Sequence, residues 1–309
     1  MLGRPGIIML NTYREAVRAR VLHGLFGLAV ATAAYAFVVG EFASRSRLRV
    51  VSDLGAASIS VYGIVVAVVL GASSLYRELE LKTLFPILTR PIHRWEYLLG
   101  KYIGTLLTVA VFIAANAGGL LIALGFMTGR SAALCLAAGP GVIAALTIVA
   151  WRAPRARTYL PIFGAALLLA LGVLLSDGAP DERRVIALSC LLTLQEVMIV
   201  TAIATLFASF SSPFLTAVFT FGVFLVGRSA DTLAKMPERV FGSFVKQLGE
   251  GLAWVVPNLM LYVPPRPLLT GESGEPLFGY LLLAAGQALA WSVGLLAVAS
   301  LIFRRRDFL

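Results

Sequence analysis

Eight long runs of residues, charge-free except for one glutamate, divide this chain. They are 21–40, 56–75, 102–125, 132–150, 159–176, 185–209, 213–227 and 277–303. Most approach the ~20 residues that an α-helix needs to cross ~30 Å of hydrocarbon. Only 14% of the 309 residues are charged, against about 25% in water-soluble domains, so much of the surface faces lipid. The sequence therefore predicts an all-α polytopic membrane helix bundle of about eight transmembrane helices, folded as a single integral membrane domain over residues 1–309.

Charge is distributed unevenly among the segments that connect these runs. If both termini lie on one side, the segments on that side hold fifteen of the 26 basic residues but only five of the 16 acidic residues. The positive-inside rule makes that side cytoplasmic. We therefore expect a multi-pass protein of the cell (inner) membrane with both termini in the cytoplasm. Arg45, Arg47 and Arg49 in the first outer loop go against this rule.

Two of the eight runs differ from a simple spanning helix. Run 132–150 has Gly139-Pro140-Gly141 at its middle, and an internal proline kinks or breaks a helix. The stretch 132–176 can therefore form two crossings or one re-entrant hairpin, and the basic link 151–158 favours two crossings. Run 213–227 is short for a full span.

Two segments have the pattern of helices that lie along the membrane surface. In residues 1–20, apolar side chains recur at helical spacing beside polar ones, which predicts an interfacial elbow helix before the first crossing. In the outer segment 228–276, an apolar stripe from Val240 to Val255 predicts an amphipathic helix that ends at Pro257. This helix could form an external gate or simply seal the outer vestibule.

A charged segment with two prolines separates the second and third runs. Glu78 and Lys82 are spaced i,i+4, which supports a short helix, and Pro86 and Pro91 then impose turns. A polar helical element between two spanning helices is well placed to be bound by a soluble cytoplasmic partner. The alternative is a solvated loop whose basic residues only set the topology. We predict a cytoplasmic coupling helix within 77–97.

Fourteen residues of this segment follow a recognisable order. They are Glu78, Glu80, Thr83, Leu88, Arg90, Pro91, Arg94, Trp95, Glu96, Tyr97, Leu98, Leu99, Gly100 and Lys101. Their order and spacing resemble the loop after the second transmembrane helix in ATP-binding-cassette (ABC) exporter permeases of the type-2 class. Stretches 12–20, 204–220 and 303–308 are similar to that family's elbow helix, its Ser-rich turn between two late helices and the basic end of its last helix. His93, where the family usually has Ser, and Pro86 depart from the pattern.

The resemblance implies a permease of six family-like transmembrane helices, with 132–176 as an inserted helix pair. That pair could be lipid-facing or could handle substrate. The resemblance also implies that the coupling region contacts a separate ABC ATPase subunit. The residues expected to make this contact are Glu78, Glu80, Lys82, Thr83, Arg90, Pro91, Arg94 and Glu96.

The chain itself has no P-loop. No Gly lies five residues before Gly100, and Tyr102 stands where Ser or Thr is required after Lys101. We therefore expect ATP and Mg²⁺ on the partner ATPase, and no cofactor, enzymatic activity or nucleic-acid partner for this chain. Because one chain supplies one membrane element, a second permease copy, as a homodimer in the lipid bilayer, completes the expected assembly.

Glu196, next to Gln195, is the only formal charge inside any of the eight runs. An ionisable side chain within a spanning helix is a functional candidate by default. The alternative is a structural hydrogen bond to a neighbouring helix, near Thr193 or Asn116. The sequence shows no His, Cys, Asp and Glu cluster at one depth, so it predicts no metal site.

Two pairs of small residues indicate packing rather than chemistry. Gly100 and Gly104 form a small-xxx-small pair, which favours close packing of a neighbouring helix over dimerisation. Cys135 and Cys190 lie in apolar runs and are predicted to be buried thiols.

Two other classes of protein are alternatives. A polytopic membrane enzyme acting on lipid would need clustered acids or histidines at one depth. An ATP-independent transporter would need several intramembrane polar groups and an inverted repeat. The sequence favours neither. It does not identify the substrate, although mostly apolar helices would suit a lipid, a hydrophobic drug or a lipid-linked sugar.

Overall fold

A computed structural model of the chain describes residues 4–43, 46–80, 93–153, 156–235, 247, 249, 251–252, 255–272, 274 and 276–305. The helices in these ranges are α1 (Arg4–Val17), α2 (Arg20–Phe42), α3 (Arg47–Glu80), α4 (Arg94–Met127), α5 (Ala132–Arg152), α6 (Leu160–Leu175), α7 (Pro180–Ala208), α8 (Pro213–Ala234), a 3₁₀-helix (Leu259–Tyr262), α9 (Arg266–Thr270) and α10 (Leu277–Arg305). The described ranges contain no β-strand. The predicted all-α bundle is confirmed.

Within the described ranges, seven helices are long and apolar enough to cross a membrane: α2, α3, α4, α5, α7, α8 and α10. The remaining predicted crossing, run 159–176, corresponds to α6. This helix is apolar throughout, but its 16 residues extend only about 24 Å at 1.5 Å per residue. It runs parallel to α4. A Cβ on Gly118 would lie 2.5 Å from the Leu168 carbonyl carbon, and one on Gly125 would lie 2.6 Å from the Leu175 carbonyl oxygen.

Three elements meet at one end of the bundle, which we call the α1 end. The first turns of α4 pack against α1, and the Arg94 guanidinium of α4 donates to the carbonyls of Phe303 and Arg304 in α10 at 2.8 and 2.9 Å. The link between α5 and α6 reaches the same end, since Arg14 of α1 donates to the Tyr159 hydroxyl at 3.4 Å. The first and last helices therefore lie at the same end, and α5 and α6 run between the two ends.

The core lies between α3, α4 and α7. Buried side chains that form it include Ile64, Phe112, Leu121, Ile186 and Val197. In contrast, α5 is peripheral, because its only buried residues are Cys135 and Val142. Pro140 lies inside α5 without ending it. Both cysteines are buried and unpaired, as predicted.

Run 213–227, which is short for a full span, is part of a longer helix in the structure. Helix α8 continues seven residues beyond 213–227, so 228–234 extend the helix instead of starting the outer segment. Most of the predicted amphipathic helix from Val240 to Val255 lies outside the described residues. The later part of the outer segment packs back on the bundle, where the Tyr262 hydroxyl donates to the Ala284 carbonyl of α10 at 3.0 Å.

Candidate functional site

The structure describes the two flanks of the predicted coupling region. Glu78 and Glu80 lie in the last turns of α3, and Arg94 and Glu96 lie in the first turn of α4. The remaining predicted contact residues are outside the described residues; they are Lys82, Thr83, Arg90 and Pro91. A coupling role for all eight stays a prediction. Both flanking helices reach the α1 end, because α4 begins there and Leu70 and Ser73 of α3 line a small cavity together with Thr12 of α1.

The start of α4 is held in place by its own charged residues. The Glu96 carboxylate accepts a hydrogen bond from the His93 backbone N–H at 3.1 Å, which satisfies one of the free donors at the helix start. Arg94 joins this first turn to the last carbonyls of α10. The Tyr97 ring stacks on the Phe303 ring, with centroids 6.2 Å apart. The flank is therefore fixed to α10 before any partner binds.

Helix α1 lies against α4 at the two glycines of the small-xxx-small pair. A Cβ on Gly100 would lie 2.7 Å from the Ile8 Cβ, and one on Gly104 would lie 2.6 Å from the Thr12 Cβ. No larger side chain fits there without moving α1. The predicted close packing at these glycines is confirmed, and the neighbour is α1, the predicted elbow helix.

One lysine in this contact is almost fully buried. Lys101 has 3% of its side chain exposed, and its Nζ lies 3.7 Å from the Glu15 carboxylate of α1. It also lies 5.9 Å from the Tyr97 ring centroid. A buried cation needs such partners, because an uncompensated charge away from water is strongly unfavourable. The pair therefore links α1 to α4 electrostatically as well as by packing.

The intramembrane carboxylate is paired. Glu196 on α7 is fully buried and accepts two hydrogen bonds from Arg228 on α8, Nε to Oε1 at 2.9 Å and Nη2 to Oε2 at 2.8 Å. Arg228 Nη2 also donates to the Ser60 hydroxyl of α3 at 3.3 Å. Its guanidinium carbon lies 5.3 Å from the Phe224 ring centroid. The two predicted neighbours of Glu196 play other roles: Asn116 donates to the Phe112 carbonyl, and Thr193 lines a cleft.

Sequence reasoning missed Arg228, because it placed this residue in the outer segment just after run 213–227. The signal was the shortness of that run. A helix of 15 residues rises about 22 Å, which falls short of ~30 Å of hydrocarbon. Extending it by two turns brings Arg228 inside the membrane, where Glu196 needed a partner. Gln195, the other predicted polar residue, has a buried Oε1 without a hydrogen-bond partner within the described ranges.

Arg228 lines a cleft that opens toward the end opposite α1. The cleft has a volume of about 300 Å³ and lies between α3, α7, α8 and the segment from Tyr262 to Leu269. At its mouth, Arg266 of α9 contacts the Asp53 carboxylate of α3 and donates to the Glu182 carboxylate of α7 at 3.0 Å. These ion pairs tie the outer segment to two spanning helices.

Comparison with protein families identifies the class of this membrane protein. Residues 7–308 match the family described as ABC-2 family transporter protein. The chain belongs to this family. No curated protein matches it closely enough to add a specific activity. The resemblance to ABC permeases of the type-2 class is thereby confirmed, and the apolar helices fit a multi-pass membrane protein.

Membership of the ABC-2 family indicates which subunit of the transporter hydrolyses ATP. An ABC-2 permease is the transmembrane component of a transporter, and it pairs with an ABC ATPase subunit in which the ATPase activity resides. Among the described residues of this permease, no group of three or more His, Cys, Asp and Glu side chains could hold a metal ion.

Proposed function

We propose that this ABC-2 permease is the transmembrane subunit of an ATP-driven exporter, in which hydrolysis by a separate ATPase subunit moves substrate across the cell membrane. The α1 end faces the cytoplasm, and the region 77–97 docks against the ATPase. Two permease copies form a homodimer with two ATPase subunits. Rigid-body motion at the α1 end then biases the membrane helices between two states.

The observation that carries this proposal is the family match together with the meeting of three elements at one end. The α4 flank of the proposed coupling region, α1 and the end of α10 are joined there by the contacts of Arg94 and by the glycine contact of α1. A push on segment 77–97 would therefore reach the first and last helices together. The excess of basic residues in the same segments supports a cytoplasmic location.

Labelling with a membrane-impermeant maleimide tests the orientation. The native thiols, Cys135 and Cys190, are both buried, so background labelling is expected to be low. Lys82→Cys should label only in inverted vesicles, and Glu272→Cys, in the outer segment, should label only in intact cells. The opposite pattern would overturn the cytoplasmic assignment.

Co-purification with the candidate ATPase tests the coupling. The double substitution Glu78→Ala with Arg90→Ala should release the ATPase or uncouple hydrolysis from transport while the membrane bundle stays folded. A matched control is Glu41→Ala with Arg47→Ala, which also removes one glutamate and one arginine, here a partly exposed ion pair at the opposite end. Normal assembly and transport by the first double variant would show that coupling lies elsewhere.

A further inference from the structure

Helices α3 and α8 form one seam with a polar half and an apolar half. The polar half is the cleft described above, into which Ser60 of α3 and Arg228 of α8 project. The apolar half is a groove of about 290 Å³ lined by Val65, Val68, Val69, Phe214, Ala217, Val218 and Phe221. The groove has almost no polar lining atom, whereas the cleft contains charges and hydroxyl groups. Together they have the polarity of an amphiphile.

The two halves follow each other along both helices. On α3, Val61 lines the cleft and Val65, one turn later, lines the groove. On α8, Arg228 and Phe221 are seven residues apart, about 10 Å along the axis. Phe224 lies between them, with its ring 6.0 Å from the Phe221 ring and 5.3 Å from the Arg228 guanidinium carbon. A ligand that extends along the seam can therefore contact both halves.

The guanidinium of Arg228 has one edge available. Its Nε and Nη2 donate to Glu196 and Ser60, while Nη1 donates no hydrogen bond to any described residue. The side chain is 27% exposed, although its partner carboxylate is fully buried. Arg228 is thus held rigidly by Glu196 and presents two N–H groups to the cleft. A preorganised arginine edge suits the oxygens of a phosphate group.

The surrounding groups favour the same chemistry. Arg266, the other cation that lines the cleft, is already engaged by Asp53 and Glu182. The hydroxyls of Ser189 and Thr193 also line the cleft and can donate to an anionic oxygen. Two carboxylates therefore offset the charge of Arg266, whereas Arg228 has one carboxylate partner among the described residues and is the more favourable cation for an anionic ligand.

The two halves lie at different depths along α8. Arg228 lies 15 residues after Pro213, about 22 Å along α8 from the α1 end. The groove residues Phe214 to Phe221 start one residue after Pro213 and lie within about 12 Å of the α1 end. A phosphate at Arg228 would therefore direct an alkyl chain along the seam toward the α1 end, and the chain would extend about 10 Å before it enters the groove at Phe221.

We propose that the α3–α8 seam binds a phosphate-bearing lipid, with the phosphate on the free edge of Arg228 and an alkyl chain between Val65 and Ala217. This inference rests on the proposed transport function in one respect, since it names such a lipid as the substrate class. The binding itself requires neither ATP nor the ATPase subunit. It can therefore be tested separately from transport.

The first test compares two lipids on the purified full chain in neutral detergent. Fluorescent phosphatidic acid and diacylglycerol with identical chains differ only in the phosphate. One charge-assisted hydrogen-bonding edge should make phosphatidic acid bind about tenfold more tightly. Excess inorganic phosphate should displace neither fluorescent lipid, because the alkyl chain of the lipid supplies much of the binding affinity. Equal affinities for the two lipids, or displacement by free phosphate, would overturn the proposal.

The second test determines which part of the lipid each half of the seam binds. Ala217→Trp fills the groove and should weaken both lipids at least fivefold, whereas Leu215→Trp, an exposed position on another face of α8 that lines neither half, should weaken neither. The double variant Glu196→Gln with Arg228→Gln should remove the preference for phosphatidic acid and leave diacylglycerol binding unchanged. If that double variant fails to fold, the proposal is still tested by the two tryptophan variants and by the affinities of the wild-type chain for the two lipids. If Ala217→Trp changed the affinity of neither lipid, the placement of the alkyl chain in the groove would be contradicted.

Transport separates the two proposals. If the lipid binds as expected but no ATPase subunit drives its movement, the site stands and the exporter assignment fails. If an ATPase couples normally while both lipids bind equally, the exporter assignment stands and the lipid assignment fails.

Discussion

Arg228 and Glu196 form a two-point ion pair between α8 and α7, with both hydrogen bonds under 3 Å. The two partners differ in their access to water. Glu196 is fully buried, whereas 27% of the Arg228 side chain is exposed in the cleft. Removing one partner therefore has a different consequence from removing the other.

The two single substitutions should accordingly be unequal. Arg228→Gln leaves a carboxylate without a partner in the core, which should destabilise the permease by about 3–5 kcal/mol. Glu196→Gln leaves an arginine that can turn toward water, with a smaller loss of about 1–3 kcal/mol. The double variant should recover most of the loss, because no charge stays buried. Reversible unfolding of the purified chain in mixed micelles measures all three, and equal effects of the two single variants would contradict the buried ion pair.

Much of this bundle could be predicted from the sequence, and the failures have a common cause. Charge-free runs located the spanning helices because lipid excludes unpaired charges. The same criterion ended α8 at Gly227, since it rejects Arg228, although a paired charge is tolerated inside a membrane. Arg228 and Glu196 together carry no net charge. The pairing is a tertiary contact across 32 residues, which local sequence patterns do not encode.

The packing of small residues was predictable only in part. Gly100 and Gly104 indicated a close neighbour, but the identity of that neighbour as α1 depends on how the elbow helix folds back. The contact of Arg94 with α10 joins residues 209 positions apart. The segment 77–97 resembles a coupling loop by sequence, and its contacts with a partner can only be defined in the complex.

Two adjacent glycines of α4 provide a matched test of the α4–α6 contact. A Cβ on Gly118 would lie 2.5 Å from the backbone of Leu168, whereas one on Gly119 would have no heavy atom within 4 Å. Gly118→Val should push α6 away and destabilise the chain by about 1–3 kcal/mol. Gly119→Val, with the same change in helix propensity, should be tolerated. Unfolding midpoints of the two variants provide the comparison, and equal loss in both would show that α6 does not pack there.

A third prediction concerns the docking of the elbow helix. Gly104→Val would place a side chain on Thr12, so α1 should separate from α4 while the spanning helices stay folded. A zero-length carbodiimide should cross-link Lys101 of α4 to Glu15 of α1, whose charged groups lie 3.7 Å apart, in the otherwise wild-type chain, and Gly104→Val should reduce the yield several-fold. Unchanged cross-linking would mean that α1 tolerates the added volume at Gly104.

The last prediction separates a structural role of Arg94 from a role in ATPase docking. Arg94 was assigned to the coupling region by resemblance, but it donates to two carbonyls at the end of α10. Loss of these charge-assisted hydrogen bonds from a partly exposed side chain should destabilise the bundle by about 1–2 kcal/mol. Arg94→Ala should therefore lower the unfolding midpoint of the permease alone, without any ATPase present.

Arg14→Ala is the matched control for this experiment, because Arg14 lies at the same end and makes a 3.4 Å hydrogen bond to the Tyr159 hydroxyl. It removes the same charge and should change stability by less than about 0.5 kcal/mol. Arg94→Lys, which keeps the charge and a single donor group, should restore part of the loss. If Arg94→Ala were as stable as the wild type but no longer bound the ATPase, its guanidinium would be a docking contact and the link to α10 would be incidental. A stability loss that appears in the isolated permease, and that Lys partly restores, identifies Arg94 as a residue that, together with Tyr97, holds the start of α4 against the last helix.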